Sequence, residues 1–337
     1  MQKKLIALAV AGLVSAPAFA QSNVTIYGVV DAFVGFGDNG NDVDFVGVES
    51  GGLSGSRLGF RGTEDLGNGL KGVFVIEQGF NVDNGSGLGG ASRQAFVGLN
   101  GGFGTVSLGR QYAPGYDYQY DALASAAISP QAILSGGLTI TPGGNARWDN
   151  SIAYNGAFSG LKVRAIYGMS DVEAGADVSD DDRLGLGVEY GNGPLKVGAV
   201  YHLVKSANED QKEWLVGGSY NFGMATLALS YQDYQDQGGA SGVDGSLWQV
   251  GAIVPVGAAG NVHIAYGERD DDAADGKASS VTIAYTHAMS KRTTAYAGYN
   301  NTDNDPGLAF GPGKFGAGGA NLSTDSDLFV VGVRHTF

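Results

Sequence analysis

The 337-residue chain carries 58 glycines, 8 prolines, no cysteine and a formal net charge of −14. The glycine excess has neither a Gly-X-Y period nor abundant proline, which excludes collagen. A hydrophobic share of 43% excludes global disorder, a pI near 4.5 excludes a nucleic-acid binder, and zero cysteine excludes disulfides and thiolate chemistry.

The first twenty residues read as a secretory signal peptide. Lys3 and Lys4 form the basic start, Leu5 to Val14 the short apolar core, and Ala18-Phe19-Ala20 an A-x-A cleavage site. The expected domain organisation is thus a signal over 1–20 and one β-barrel domain over 21–337. No later stretch of about 18 apolar residues predicts a transmembrane helix. The mean hydropathy of −0.04 resembles that of a soluble chain. Barrels, however, cross bilayers with little net hydropathy, because one face of each strand is wet.

From Val24 onward, segments of about ten residues alternate apolar and polar. Leu161, Val163, Ala165 and Tyr167 share one face, and Lys162, Arg164 and Gly168 the other. Leu184, Leu186, Val188 and Tyr190 oppose Gly185, Gly187 and Glu189. The same reading holds for Leu195 to Leu203, Asn261 to Gly267 and Ser280 to Thr286. The polar face is small and glycine-rich, as a wet lumen requires. Aromatics close the apolar faces, as at membrane interfaces: Trp148, Tyr154, Tyr167, Tyr190, Tyr201, Trp214, Tyr220, Tyr231, Trp248, Tyr266 and Tyr285.

Short connections (64–69, 100–104, 155–160, 191–194, 220–224, 255–260, 287–293) alternate with longer acidic ones (169–182, 233–244, 269–277, 300–327). Short turns at one end and long loops at the other predict an all-β transmembrane antiparallel barrel of sixteen strands. The final run, Phe329 to Phe337, reads as a strand that pairs with Val24 to Phe36 and removes the sheet edges.

Several runs then carry a resemblance. Val24-Thr25-Ile26-Tyr27-Gly28, the run Ser56 to Lys71 (SRLGFRGTEDLGNGLK), Gly104 to Arg110, Ser290-Lys291-Arg292-Thr293 and the terminal Gly332 to Phe337 stand in the order found in beta-proteobacterial general porins. The sequence resembles that Gram-negative family. The resemblance implies a sixteen-stranded homotrimeric barrel in the outer membrane, in contact with lipid and lipopolysaccharide. It also implies passive diffusion of ions and small hydrophilic solutes, and a long third loop folded into the pore. The residues agree: 111–146 is the longest connection of the first half and is rich in Ala, Ser, Gly and Tyr.

Pore-constriction candidates follow from parity. Arg57 and Arg61 lie on the second strand, opposite Leu58 and Phe60. Arg147, on the sixth, shares parity with Asp149 and Ser151 and opposes Trp148. Arg93 has the parity of Ala95, Val97 and Leu99, so it needs a bulge, or a position in the loop mouth, to point inward. Asp117 and Asp121 of the third loop, with Glu77 of the third strand, are the expected acidic counterparts. Outer-loop acid is screened beyond a Debye length of ~8 Å, so the expected bias is weak anion preference. A substrate-specific channel, using Tyr112, Tyr116, Tyr118 and Tyr120, is the alternative.

No cofactor or metal is expected. Asp180–Asp182 and Asp270–Asp272 lack EF-hand spacing, and His202 and His263, at lumen parity, form no metal pattern. Gly85 to Gly90 matches G-x-G-x-x-G without a strand-to-helix context, and no nucleophile elbow occurs, so no enzyme is expected.

Overall fold

The computed structural model describes residues 23–39, 44–90, 92–118, 120–123, 127–140, 146–170, 181–313 and 325–337. The signal segment 1–20 lies outside the described residues. Among the described residues seventeen strands run in chain order, each antiparallel to the strands it pairs with. They are β1 (Asn23–Asp38), β2 (Asp44–Ser50), β3 (Arg57–Gly67), β4 (Leu70–Gly79), β5 (Ser92–Gly101), β6 (Gly104–Tyr112), β7 (Arg147–Phe158), β8 (Leu161–Gly168) and β9 (Arg183–Asn192). The remainder are β10 (Leu195–Val204), β11 (Gln211–Asn221), β12 (Thr226–Gln235), β13 (Gly245–Val256), β14 (Gly260–Asp271), β15 (Gly276–Ala288), β16 (Thr293–Asn304) and β17 (Ser326–Thr336). One helical turn, α1 (Pro130–Leu134), sits in the connection 113–146.

β2 and β3 pair with successive halves of β1: Ala32 to Asp38 against Ser50 to Asp44, and Asn23 to Val29 against Thr63 to Arg57. They form one interrupted stave, so the closed barrel has sixteen. β17 completes it against β1, from Val29↔Thr336 to Asp38↔Asp327. Gly28 and Phe337 exchange both backbone hydrogen bonds at 3.1 Å. Among the described residues no sheet edge is left to face lipid, which could not satisfy it.

The break in the second stave is tied by Asp31. This fully buried carboxylate accepts from Leu53 N at 2.9 Å, Ser54 N at 2.8 Å and Tyr296 Oη at 2.6 Å. It folds 51–56 to the inner side, where Gly52 O accepts from Ala127 N of the long connection at 3.0 Å.

The seven short turns lie where the sequence predicts them. Two have turn residues with both φ values positive: Asn68-Gly69 (52°, 78°) and Ser159-Gly160 (48°, 88°). That type I′ geometry matches strand twist, and Asn and Gly adopt it at little cost. Three of the long connections are shorter than predicted. β12 runs on to Gln235, β16 runs on to Asn304, and β17 starts at Ser326. β14 runs on to Asp271 and β15 starts at Gly276. Glu268 to Asp271 continue the ladder because, beyond the hydrocarbon, charge on either face does not disrupt pairing.

The apolar faces point out. Val24, Ile26, Phe36, Leu186, Val188, Ile283 and Val331 are all exposed, while Glu189, His202, Glu213, Gln232 and Gln249 on the alternate faces are buried. Neighbouring strands align Trp214 with Tyr231 and Trp248 with Tyr266, each pair 5.4 Å apart, in an outward belt. Trp148 departs from its expected outward position. It is fully buried and packs edge-on against His202 at 4.9 Å. The register shifts between Gly109 and Gln111, opposite Trp148 to Ser151, and Asn150 has φ +45°, so alternation does not carry across this point.

Candidate functional site

One half of the inner wall is basic and centred on a single carboxylate. Glu77 is 4% exposed. Its Oε1 accepts from Arg93 Nε at 2.8 Å; its Oε2 accepts from Tyr27 Oη at 3.0 Å and lies 3.7 Å from Arg57 Nε. Arg93 reaches it through a bulge. Glu77 pairs with Gln94 and Gln78 with Ser92, which leaves Arg93 as the extra residue and re-aims its side chain.

The ladder continues through aromatic rings. Arg93 Nη2 donates to Tyr112 Oη at 2.7 Å and to Tyr116 Oη at 3.2 Å. Those rings stack at 3.7 Å, 8° from parallel, and the Arg147 guanidinium lies 5.4 Å and 6.0 Å from their centres. At the other end Arg61 lies 5.1 Å from the Tyr27 ring. Contacts of this kind contribute ~1 kcal/mol each and offset part of the ~2 kcal/mol of rotamer entropy an ordered arginine loses. Arg57, Arg61, Arg93, Arg147 and Glu77 therefore form one connected set, in which four cations face one anion.

Described residues of the connection 113–146 pack on the polar faces of strands from β8 to β15. After the 3-10 turn Pro114–Tyr116, Asp117 pairs with Arg164 of β8. Tyr118 seats over Gly187 of β9, and Tyr120 over Gly198 of β10 and Gly217 of β11. Tyr120 Oη donates to Glu189 Oε2 at 3.3 Å, and its carbonyl accepts from Gln249 of β13. Farther round, His263 Nδ1 of β14 lies 2.7 Å from Ala122 O, and Thr282 Oγ1 of β15 donates to Ile128 O at 2.5 Å.

The returning limb is held by Glu213 of β11. Its fully buried carboxylate accepts from Thr139 N at 2.8 Å, Thr139 Oγ1 at 2.9 Å, Ile140 N at 3.1 Å, Gln211 Nε2 at 2.6 Å and Gln232 Nε2 at 2.9 Å. Thr139 Oγ1 also meets His202 Nδ1 at 3.0 Å. Burial, then the charge of Glu189, push the Tyr118 phenol up to about 12 and the Tyr120 phenol in the same direction. Both phenols are neutral at physiological pH, so they add no charge to this wall.

The small residues of the polar faces are needed for this seating. A Cβ at Gly187 or Gly217 would meet the Tyr118 or Tyr120 ring. Gly187→Val is expected to destabilise the barrel by about 1–3 kcal/mol through overpacking. The check is the thermal unfolding midpoint of the refolded chain, compared with that of Gly102→Ala at an open turn position.

Of the expected acids, Glu77 is the one that meets the expected arginines, Arg57 and Arg93. Asp117 is engaged by Arg164, and Asp121 accepts from Ser129 Oγ and from Leu123 N at 3.0 Å within its own connection. Sequence reasoning left unassigned Arg164, Lys162 (2.8 Å from Glu189) and Arg110 (2.6 Å from Asp149). Parity already placed Lys162 and Arg164 on the polar face; their partners come from sheet pairing and the long connection. No group of three or more metal-ligating side chains occurs among the described residues.

A closed sixteen-staved barrel with an apolar, aromatic-belted outside and a charged inside is a membrane channel of the porin class. The comparisons identify the family. The Gram-negative porin model matches residues 7–307, and this chain belongs to that family. It is 34% identical to outer membrane porin protein 32 of Delftia acidovorans over the full length of both chains. It is 31% identical to an outer membrane porin of Bordetella pertussis, covering 88% of this chain and 93% of that one. Among solved structures it superposes on the anion-selective porin from Comamonas acidovorans with a TM-score of 0.83 at 30% identity, over 94% of this chain and all of that one. The chain is an outer-membrane porin, a barrel for general diffusion.

Proposed function

We propose that this porin passes ions and small hydrophilic solutes with a weak preference for anions, through a lumen narrowed by the connection 113–146. The observation that carries the reading is the four-to-one charge ratio around Glu77, with Asp117 and Asp121 engaged elsewhere. Charges beside the permeation path bias which ions enter, whereas acid in the outer loops is screened by salt. Cavities of about 710 and 540 Å³, lined in part by Arg164 and Asp117 and by Arg61 and Thr25, leave room for hydrated solutes. The anion-selective character of the Comamonas acidovorans porin supports the same sign.

A substrate-specific channel is the second reading. The stacked Tyr112–Tyr116 pair between Arg93 and Arg147 favours it, but Tyr118 and Tyr120, each 2% exposed, pack against the wall and offer no continuing track. Secretion through cleavage after Ala20, homotrimeric assembly among lipid and lipopolysaccharide, and a channel rather than an enzyme role complete the proposal.

The test uses the natural absence of cysteine. Asp117→Cys, labelled with a cationic thiol reagent after reconstitution in planar bilayers, is expected to lower single-channel conductance. Complete labelling by mass with unchanged current would show that the connection does not line the path.

A further inference from the structure

Arg269 of β14 stands apart from the basic wall and is 2% exposed. All three of its guanidinium nitrogens are engaged. Nε donates to Tyr234 Oη at 3.1 Å; Nη1 donates to Leu134 O at 3.1 Å and Gly136 O at 2.9 Å. Nη2 donates to Gln237 Oε1 at 2.5 Å and Asp271 Oδ2 at 3.3 Å. The guanidinium also lies 4.6 Å from the centre of the Tyr234 ring and 4.9 Å from that of Phe310.

These partners come from parts of the chain far apart in sequence. Leu134 and Gly136 carry the carbonyls at the end of α1, in the connection 113–146. Gln237 belongs to the outer connection between β12 and β13, and Phe310 to that between β16 and β17. Gln237 Nε2 donates to Gly136 O as well, at 3.3 Å. Gln211 ties the same places from the wall: its Nε2 donates to Gly137 O at 3.4 Å, and its Oε1 accepts from Gly238 N at 2.8 Å. The turn after α1 is therefore gripped from the outer end by Arg269 and Gln237 and from the wall by Glu213.

The two rings that Arg269 lies against adjoin an apolar cluster: Leu134, Leu138, Leu247, Ala278 and Leu308 are buried with Tyr234, and Phe310 packs against them. An apolar side chain would suffice to fill such a cluster. A guanidinium in this place adds direction, because its planar fork binds two carbonyls at fixed angles, and a buried guanidinium is tolerated only where its donors are satisfied.

We infer that Arg269 is a positioning residue for selectivity: with Gln237 it fixes how far the connection 113–146 reaches across the lumen. The outer connection 236–244 then becomes part of what sets pore width. This rests on the reading that 113–146 narrows the channel.

The experiment compares Arg269→Met, Arg269→Lys and Gln237→Ala in the full chain, refolded and reconstituted. Circular dichroism and heat-modifiable electrophoretic mobility confirm a closed barrel. Single-channel conductance and liposome swelling with sugars of rising size read the pore. Arg269→Met and Gln237→Ala are expected to change conductance by about 1.5-fold or more and to raise open-channel noise, since conduction follows pore width. Lysine, which keeps the charge but loses the fork, is expected to fall between. Folded variants with wild-type conductance, noise and exclusion size would overturn the inference. Should Arg269→Met not fold, Gln237→Ala, outside the strands, decides it by the same criterion. Thiol labelling at Asp117→Cys separates the two levels. Labelling that lowers current while the variants conduct normally refutes the role of Arg269 alone; labelling without effect refutes the narrowing itself.

Discussion

Replacing Arg57 and Arg147 together with glutamine is expected to move the zero-current potential in a salt gradient toward cations and to abolish most of the anion preference. A unit charge ~5 Å from a permeating ion, in a water-like dielectric, contributes ~0.8 kcal/mol, a factor of about four in local ion concentration. Anions lose that attraction as cations lose the matching repulsion, so two such changes are expected to alter the permeability ratio several-fold. Arg57 lies 3.7 Å from Glu77 without the 2.8 Å bond that Arg93 makes to it, so its removal leaves that carboxylate held. Arg147 touches the Tyr112 and Tyr116 rings, which remain stacked against each other. Folding should therefore survive while selectivity changes. A native pore that prefers cations, with no response to the double substitution, would refute the assignment.

Glu213→Ala is expected to give the largest loss of stability. It leaves five donors without their shared acceptor, among them the backbone amides of Thr139 and Ile140. A buried amide left unpaired costs about 1–3 kcal/mol, and breaking a buried charged network costs about 3–5 kcal/mol. The denaturant midpoint of the purified barrel should fall accordingly, and the conductance should become noisy as the returning limb of 113–146 is released. Glu213→Gln, which keeps one acceptor oxygen, should lose less. An alanine variant with an unchanged midpoint would show that the limb is held by packing alone.

The basic wall is partly legible in the sequence. Parity along β3 placed Arg57 and Arg61 opposite Leu58 and Phe60, because alternation holds wherever a strand is regular. Arg93 violates its own alternation, and only the bulge between Glu77 and Gln78 turns it inward. Trp148 shows the opposite failure: its parity reads as outward, and the irregularity beside Asn150 puts it inside. The pairing of Asp117 with Arg164, separated by 47 positions in sequence, is beyond any local pattern. It depends on where a long connection lands.

The sequence by itself determined the topology, the short turns and which face of most strands meets lipid. Those properties are local: a period of two, Asn-Gly and Ser-Gly turns, and aromatics at strand ends. Its glycine excess and acidic balance were visible from composition, but their use was not. The tertiary structure alone decided that Gly187 and Gly217 make room for Tyr118 and Tyr120, and that Glu213 and Arg269 are buried grips rather than solvated charges. Closure of the sheet brings strands distant in sequence around one lumen, and the charge a solute meets there is set by which side chains the inner packing has already paired.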